Sequence, residues 1–437
     1  MNLLNVSLKL NNFPIEKAKS HLEEIQRLDD GQFYNYIQEQ KQSIVRHHLE
    51  NNSFYKKLAG GNATCDNWNS LPVLTKSDLQ IPLKERLSDG FSLKNVYLNK
   101  TSGSTGNPFY FAKDKFTHAL TWAIIENRFN QFELYGEKQA RFYGEPKEIL
   151  AKSKERLKYF LSNRIKFNVF DLSDNAFESW IAKFSSSKYV YMNGYTTVIN
   201  AFANYLHAKG IVLKDICSTL KACVVTSEMC FEEDKIVMEK AFGVPVINEY
   251  GASELDIIAF QNKNNQWLLT TESLFIEVLD AANQPLPDGE VGKLVITSLY
   301  NKAHPFIRYE IGDVGSITQL DSRNVILGKL EGRNEDLVYL PSGKVTPGLT
   351  FYYITKSVMK DSSNVKEIKV VQKSIDTFDI NYVAEFELND NERLTIKNAL
   401  ENYLEPNLNI LFHRFEQLER SKSGKLKQFT SLIKSKL

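Results

Sequence analysis

The strongest constraint on the fold lies between about residues 116 and 300. There, helical stretches (Thr117 to Phe132, Thr196 to Lys209, Glu232 to Phe242) alternate with short apolar runs such as KACVVTS, VPVINEY and GKLVITSL. Helix-period and strand-period hydrophobicity taking turns in this way predicts α/β layering, a sheet with helices packed on its faces. Ahead of it, from Ser20 to about Leu58, Leu22, Ile25 and Leu28, then Phe33, Ile37, Ile44 and Leu49 recur at helical spacing among Glu, Gln and Lys. This is read as a helical lead-in. Pro72 and Pro82 bracket LPVLTKSDLQIP, where the pattern stops and an extended, turn-rich passage is expected.

The C-terminal part changes character. VKEIKVVQK and DTFDINYVAEFEL read as strands, Asn391 to Leu404 as a helix and NILFHRF as another strand, which is the order of a small α+β domain. The expected hinge is LEGRNED at 330 to 336, so that a large α/β body of several subdomains, residues 1–330, precedes a small α+β domain, residues 331–437. At 437 residues the chain is long enough for this division.

Charge and cysteine content narrow the function. Lys plus Arg number 54 and Asp plus Glu 53, a formal charge of +1, so no global field draws the chain onto nucleic acid or an anionic membrane. Cys65, Cys217, Cys223 and Cys230 have no CxxC spacing and read as reduced thiols, with Cys223 and Cys230 as packing residues rather than nucleophiles. MNLLNVSLKLNNF lacks the basic start and unbroken apolar stretch of a signal peptide, and the expected compartment is the cytoplasm. His47 and His48 are adjacent and point about 100° apart on a helix, so no zinc site is expected from them. No GxSxG elbow is present, which disfavours a serine hydrolase.

Five segments carry chemistry. Thr101-Ser102-Gly103-Ser104-Thr105-Gly106-Asn107-Pro108 combines two glycines with four hydroxyls, a composition suited to cradling phosphates, although its spacing is not that of a Walker A loop and a plain Ser/Gly surface loop reads the same way. Asn248-Glu249-Tyr250-Gly251-Ala252-Ser253-Glu254 follows the apolar VPVI, a strand that delivers an aromatic face and then a carboxylate. Arg308 to Gly315, RYEIGDVG, holds Asp313 between glycines, on what reads as a tight turn that offers its carboxylate to the hydroxyls of a ribose, or as a bare hairpin turn. Gly332-Arg333 stands at the hinge, and SKSGKLK near the C-terminus carries Lys425 beside a glycine.

Taken in order, these segments resemble the adenylate-forming superfamily of acyl-CoA synthetases, nonribosomal-peptide adenylation domains and luciferases. The nearest resemblance is to its phenylacetate-CoA ligase-like branch, which includes members associated with capsular polysaccharide biosynthesis. SFYKKL through LPVLTKSDL, GYTTVINAFANYL, FIRYEIGD and LEGRNEDLVYLPSGKVTPG carry it, over about residues 40 to 430. The resemblance implies ATP-dependent adenylation of a carboxylic acid with release of pyrophosphate. Transfer to CoA or another thiol, amine or hydroxyl acceptor would follow, in surface polysaccharide or secondary-metabolite biosynthesis, with Mg²⁺ as the metal. The C-terminal domain is then a mobile one. By the same resemblance, Thr101, Ser102, Gly103, Ser104, Thr105 and Gly106 form the phosphate loop, Tyr250 and Gly251 meet the adenine, and Glu254 is the Mg²⁺-associated acid. Asp313 binds the ribose, Arg333 belongs to the hinge, and Lys425 is the catalytic lysine.

Two positions depart from the pattern. Asn107 stands where a lysine is common, and Glu335 where aspartate is frequent. Tyr143, Tyr191, Asn193, Tyr195, Thr226 and Ser227 lie on segments expected to border the adenylate, and their mixture of aromatic and polar groups suits a small, partly polar acid. Two rival readings are an acyl-protein synthetase that passes the acyl group to a protein side chain, and a nucleotide-binding scaffold without turnover.

Overall fold

The helical lead-in is broken into three helices, Ile15–Arg27, Asp30–Asn51 and Ser53–Ala59, because two polar residues start new ones. Asp29 accepts a hydrogen bond from the Gln32 amide while the Gln32 side chain accepts one from the Asp29 amide, a reciprocal cap. Asn52 caps the next helix by accepting from the Tyr55 amide. The computed structural model describes residues 3–61, 63–101, 109–143, 162–169, 171–333, 337–343, 345–347, 351, 364–420 and 426–433.

Strands β1 (Tyr97–Lys100) and β2 (Tyr110–Lys113) pair antiparallel and flank the hydroxyl-rich loop. Among the described residues the main sheet has eleven strands in the order β10-β11-β12-β13-β9-β8-β7-β6-β5-β3-β4. Its parallel part runs β4 (Arg164–Lys166), β3 (Gln139–Phe142), β5 (Tyr191–Tyr195), β6 (Ala222–Thr226) and β7 (Val246–Ala252). One face, with Ala140, Phe142, Met192, Cys223 and Val225, is covered by the helices Asp174–Ser186, Thr196–Ala208 and Glu232–Phe242. The opposite face, with Tyr191, Ala222, Val224 and Ile247, packs on Ile125 and Phe129 of the helix Lys115–Asn130.

The α/β alternation expected as far as residue 300 ends at β7. Strands β8 (Asp256–Gln261), β9 (Trp267–Leu269), β10 (Leu274–Leu279) and β11 (Gly292–Ser298) follow through short connections, and the pairs β7/β8, β8/β9 and β10/β11 are antiparallel. A parallel return needs a crossover of a dozen or more residues, usually a helix; the links from β7 to β8 and from β8 to β9 are too short to hold one, and residues 280–291 between β10 and β11 form turns and no helix. A second difference concerns RYEIGDVG. The segment is not a turn but lies within one long strand, β12 (Tyr309–Gln319), with Gly312 at φ +90° inside it, followed by β13 (Val325–Arg333). A glycine accepts that conformation without a Cβ clash, so the strand distorts at Gly312 and continues instead of reversing.

The chain divides into two compact units, residues 1–311 with 316–329, and residues 312–315 with 330–437. The second unit has a short hairpin, β14 (Leu337–Tyr339) with β15 (Val345–Pro347), and a four-stranded sheet in the order β18-β17-β16-β19. Here β16 (Val365–Gln372) and β17 (Thr377–Ala384) are antiparallel, while the helix Asp390–Tyr403 carries the chain across to β18 (Asn409–Phe415), parallel to β17. β19 (Phe429–Ser431) closes the other edge parallel to β16. Asn389 and Glu392 cap the helix reciprocally, and Ile396, Leu400 and Leu404 pack with Ile368, Val370, Phe378 and Ile380. No helix among the described residues is long and apolar enough to cross a membrane.

Candidate active site

The candidate site lies at the carboxyl ends of the parallel strands, where the geometry of open α/β sheets favours ligands. Side chains alternate across a strand, so Arg141, Asn193, Thr226 and Glu249 continue the face covered by helix Lys115–Asn130, while the rings of Tyr143 and Tyr195 at the strand ends pack with the core of the other face. β3 contributes Arg141, followed by Tyr143, β5 contributes Asn193 and Tyr195, β6 contributes Thr226, and β7 contributes Glu249. Register places them in rows: Arg141 beside Asn193, then Tyr195 beside Thr226 beside Glu249. The strands approach closely here. A Cβ on Gly194 would stand 2.3 Å from the Phe142 carbonyl oxygen, so only glycine fits between β5 and β3.

Asn193 organises the row behind. Its Oδ1 accepts from Gln139 Nε2 at 2.9 Å, Tyr143 Oη at 3.1 Å and Arg141 Nη1 at 3.5 Å, while its Nδ2 donates to the Val224 carbonyl at 3.2 Å. Such a shared acceptor fixes three donors at once. Arg141 also lies 3.8 Å over the Tyr143 ring, and the Tyr143 and Tyr195 rings meet at 5.0 Å. Burial pushes the Tyr143 and Tyr191 phenols above their ordinary range, so both remain neutral donors. Tyr191 is set apart from the front row: its ring packs edge-on against Phe129 at 5.8 Å.

Glu249 stands beside Thr226, whose hydroxyl hydrogen-bonds its carboxylate. Burial pushes this carboxyl up to about 7, against the opposing pull of Thr226, Arg141 and Arg164. Among the described residues no cation stands within ion-pair distance of it. Ser227 follows Thr226 in the left-handed region at φ +72°, where the chain leaves β6. The Glu228 carboxylate beyond it accepts from the Thr197 amide and hydroxyl, both at 2.8 Å, and ties this turn to the start of helix Thr196–Ala208.

β7 carries the site onward. Tyr250 is nearly buried, edge-on to Trp267 at 6.1 Å, and the β7/β8 pairing shifts register between Tyr250 and Gly251. A Cβ on Gly251 would lie 2.4 Å from the Asp256 carbonyl oxygen, which explains the glycine locally. Glu254 is buried, and Tyr309 Oη donates to its Oε1 at 3.1 Å. The turn that holds it is anchored from β2: Lys113 Nζ, only 2% exposed, pairs with Asp256 and reaches the Ser253 carbonyl at 3.4 Å. Thr121 Oγ1 donates to Asp256 at 2.6 Å. The strand that leaves the hydroxyl-rich loop is thus bonded to the turn bearing Glu254. At the loop's base, the Thr101 amide donates to the Phe109 carbonyl at 2.9 Å and its Oγ1 accepts from the Phe109 amide at 3.2 Å.

Other expected residues fall elsewhere. Ser102, Gly103, Ser104, Thr105, Gly106 and Lys425 lie outside the described residues, as do Asn107 and Glu335. Asp313 sits inside β12 and Arg333 at the end of β13, both in segments that count with the second unit. His47 and His48 bond different backbone carbonyls, those of Lys302 and Asn301. No group of three or more metal-ligating side chains occurs among the described residues.

Sequence reasoning missed Glu249, Arg141, Tyr309 and the Lys113–Asp256 pair. Glu249 had a signal, an acid at an inward position of a strand whose preceding inward residue, Ile247, is apolar. Lys113 and Asp256 are 143 positions apart, and no local pattern joins them.

Similarity to known proteins extends along the chain. No family model matches it. It is 23% identical to Protein CapK of Staphylococcus aureus over 445 aligned positions, covering 97% of this chain and 95% of that protein. It is 30% identical to a phenylacetate-coenzyme A ligase of Thermus thermophilus over 138 positions, 30% of this chain and 31% of the ligase. A similar segment, 154 positions at 26% identity, matches the phenylacetate-coenzyme A ligase of Pseudomonas putida over 34% of its length. Among solved structures, 2-hydroxyisobutyryl-CoA ligase in the postadenylation state with 2-HIB-AMP superposes with a TM-score of 0.70 at 14% identity, over 92% of this chain and 90% of that one.

Proposed function

We propose that this chain, which belongs to the adenylate-forming superfamily and to its phenylacetate-CoA ligase-like branch, is a ligase that activates a small, polar or aromatic carboxylic acid with ATP and hands the acyl group to an acceptor, CoA foremost. The observation that carries this reading is continuity along β6 and β7. The polar row suited to an acid leads within one residue to Tyr250 and Gly251, and three residues later to Glu254 under Tyr309.

In the proposed reaction a carboxylate oxygen of the acid attacks the α-phosphorus. The bond from that phosphorus to the bridging oxygen breaks, and pyrophosphate leaves with the electron pair. No side-chain nucleophile is needed, so charge stabilisation is the main task. Tyr250 and Gly251 would meet the adenine and Asp313 the ribose hydroxyls, while Thr101, Ser102, Gly103, Ser104, Thr105 and Gly106 would hold the departing phosphates. Lys425 would neutralise charge at the α-phosphate and Arg333 would serve the hinge. Mg²⁺, when bound, supplies Lewis-acid neutralisation of the phosphates. Glu254 would hold it, and a single carboxylate fits, since Mg²⁺ is commonly bound by one or two carboxylates together with substrate phosphates and water. The Tyr309 hydroxyl keeps that carboxylate in one orientation.

The names of the relatives as coenzyme A ligases support CoA as acceptor, with an amine or hydroxyl as the alternative. Supply of ATP and CoA makes the cytoplasm its compartment. The test is acid-dependent pyrophosphate release from ATP with Mg²⁺, across aromatic, hydroxy, amino and short aliphatic acids, with hydroxylamine as a general trap and then CoA in its place. Acid-dependent release with hydroxamate formation is expected. ATP binding without release for any acid would replace the reading with that of a nucleotide-binding scaffold.

A further inference from the structure

We propose that Glu249 is the specificity group of the acid pocket, and that the substrate is a small carboxylic acid bearing a hydrogen-bond donor, a hydroxyl or an ammonium, on its carbon chain. This rests on the adenylation reading and names its substrate class.

The argument begins with register. Tyr195, Thr226 and Glu249 occupy adjacent positions on three neighbouring parallel strands, so their row is about 10 Å wide at roughly 4.8 Å per strand. That width matches an acid of a few carbons or one ring. Tyr143 and Tyr195 give the row an aromatic side, and Glu249 ends it with an acceptor-only group when ionised. Behind it, Arg141 is committed to Asn193 and to the Tyr143 ring. Arg164 begins β4, paired with Gln139 in the register of β3.

A carboxylate withdrawn from water without an ion pair is costly. Two acids elsewhere in this unit are matched by a cation: Arg128 donates twice to Glu272, at 2.8 and 2.7 Å, and Arg308 reaches Glu277 at 3.3 Å; buried Asp114 instead takes the Thr117 hydroxyl and amide and the Lys302 amide. Among the described residues, half-buried Glu249 has one hydroxyl neighbour, Thr226, and the charges of Arg141 and Arg164 act on it through space, with loss of solvent raising its carboxyl to about 7. A ligand donor seated in the row would complete its hydrogen bonding. An unsubstituted alkyl or aryl acid would leave it unsatisfied, and a second carboxylate would face a like charge.

The experiment compares matched acids with the full chain. Butyrate, 3-hydroxybutyrate, 3-aminobutyrate and succinate form one series, and benzoate, 4-hydroxybenzoate, 4-aminobenzoate and terephthalate the other. Pyrophosphate release gives kcat/KM for each, and the thermal shift in the presence of a non-hydrolysable ATP analogue gives binding independently. In the wild-type protein a donor-bearing acid is expected to exceed its unsubstituted partner by about tenfold or more in kcat/KM, since a buried group built to hydrogen-bond its ligand rejects the analogue that lacks the donor. In Glu249→Leu that ratio falls towards one. The near-isosteric Glu249→Gln serves if the leucine variant does not fold, and it lowers the ratio more for the amino acids than for the hydroxy acids if an ammonium is the donor.

Equal use of the unsubstituted acids, preference for the diacids, or a ratio unchanged in both variants would overturn the inference while leaving adenylation intact. Donor-selective thermal shifts without pyrophosphate release would sustain the inference and remove the adenylation reading. Silence of every acid in both measurements would overturn it.

Discussion

Two sets of acids in the first unit, buried or half-buried, behave differently. Glu272, Glu277 and Asp256 sit under or between secondary-structure elements, each with a cation in contact: Arg128, Arg308 and Lys113. Glu249, in the middle of β7 and opposite the last residue of β6, has none among the described residues and is left with a hydroxyl. A matched charge locks elements in place, and Arg308 shows this by also donating to the Trp68, Asn69 and Leu71 carbonyls. A charge left without a cation where the neighbouring strand ends is the arrangement expected of a group awaiting a ligand.

The comparison predicts that changes at matched charges act on stability and changes at the site act on chemistry. The largest effect is expected from Lys425→Ala, which should lower acid-dependent pyrophosphate release by several powers of ten, on the order of losing a principal charge stabiliser, while ATP binding and Tm stay near wild type. Wild-type turnover in that variant would remove the assignment of Lys425. Next, Arg128→Met leaves Glu272 buried without its partner and should cost about 3–5 kcal/mol in urea denaturation. A cost under about 1 kcal/mol would show that the pair is not a lock.

Smaller is Tyr309→Phe, which removes only the hydroxyl on Glu254. It should reduce kcat/KM about tenfold, in proportion to one hydrogen bond to a charged group, with a steeper Mg²⁺ requirement. An unchanged Mg²⁺ titration would separate Tyr309 from the metal.

The subtlest test uses pH, because the two kinds of acid should have opposite slopes. Burial alone would raise the Glu272 carboxyl, yet the Arg128 charge and hydrogen bonds outweigh it and hold the group below its ordinary value. Its contribution is therefore present above the unfolded value of about 4.3 and lost as pH falls below that. Glu249, raised to about 7, has the reverse sign: its contribution is present below about pH 4.3 and lost as pH climbs through 7. Stability curves of Glu272→Gln and Glu249→Gln against wild type should thus differ in opposite pH ranges. The same range for both would erase the distinction.

Much of this was legible along the chain where the information is local. Helix Glu232–Phe242, strands β6, β7 and β11, and the β16, β17, helix, β18 order of the second unit follow periods of hydrophobicity that a window of a few turns contains. The strand that ends in Tyr250 and Gly251 was equally readable. The antiparallel course after β7 was not, because apolar runs have the same composition whether the chain returns by a helix or a hairpin. The strand through Asp313 was misread as a turn, since Gly312 and Gly315 resemble turn glycines and only pairing within the sheet keeps the backbone extended.

The sequence by itself determined the layered α/β character, the distinct C-terminal unit, and the segments whose order carries the family resemblance. These depend on residue type and spacing, which side-chain period and glycine content express directly. Tertiary structure alone decided which acids are matched. Tyr309 reaches Glu254 across 55 positions and Lys113 reaches Asp256 across 143, while Glu249 meets Thr226 because β6 and β7 are in register. Charge pairing depends on distances of a few ångströms between remote residues, and only the folded sheet sets those distances.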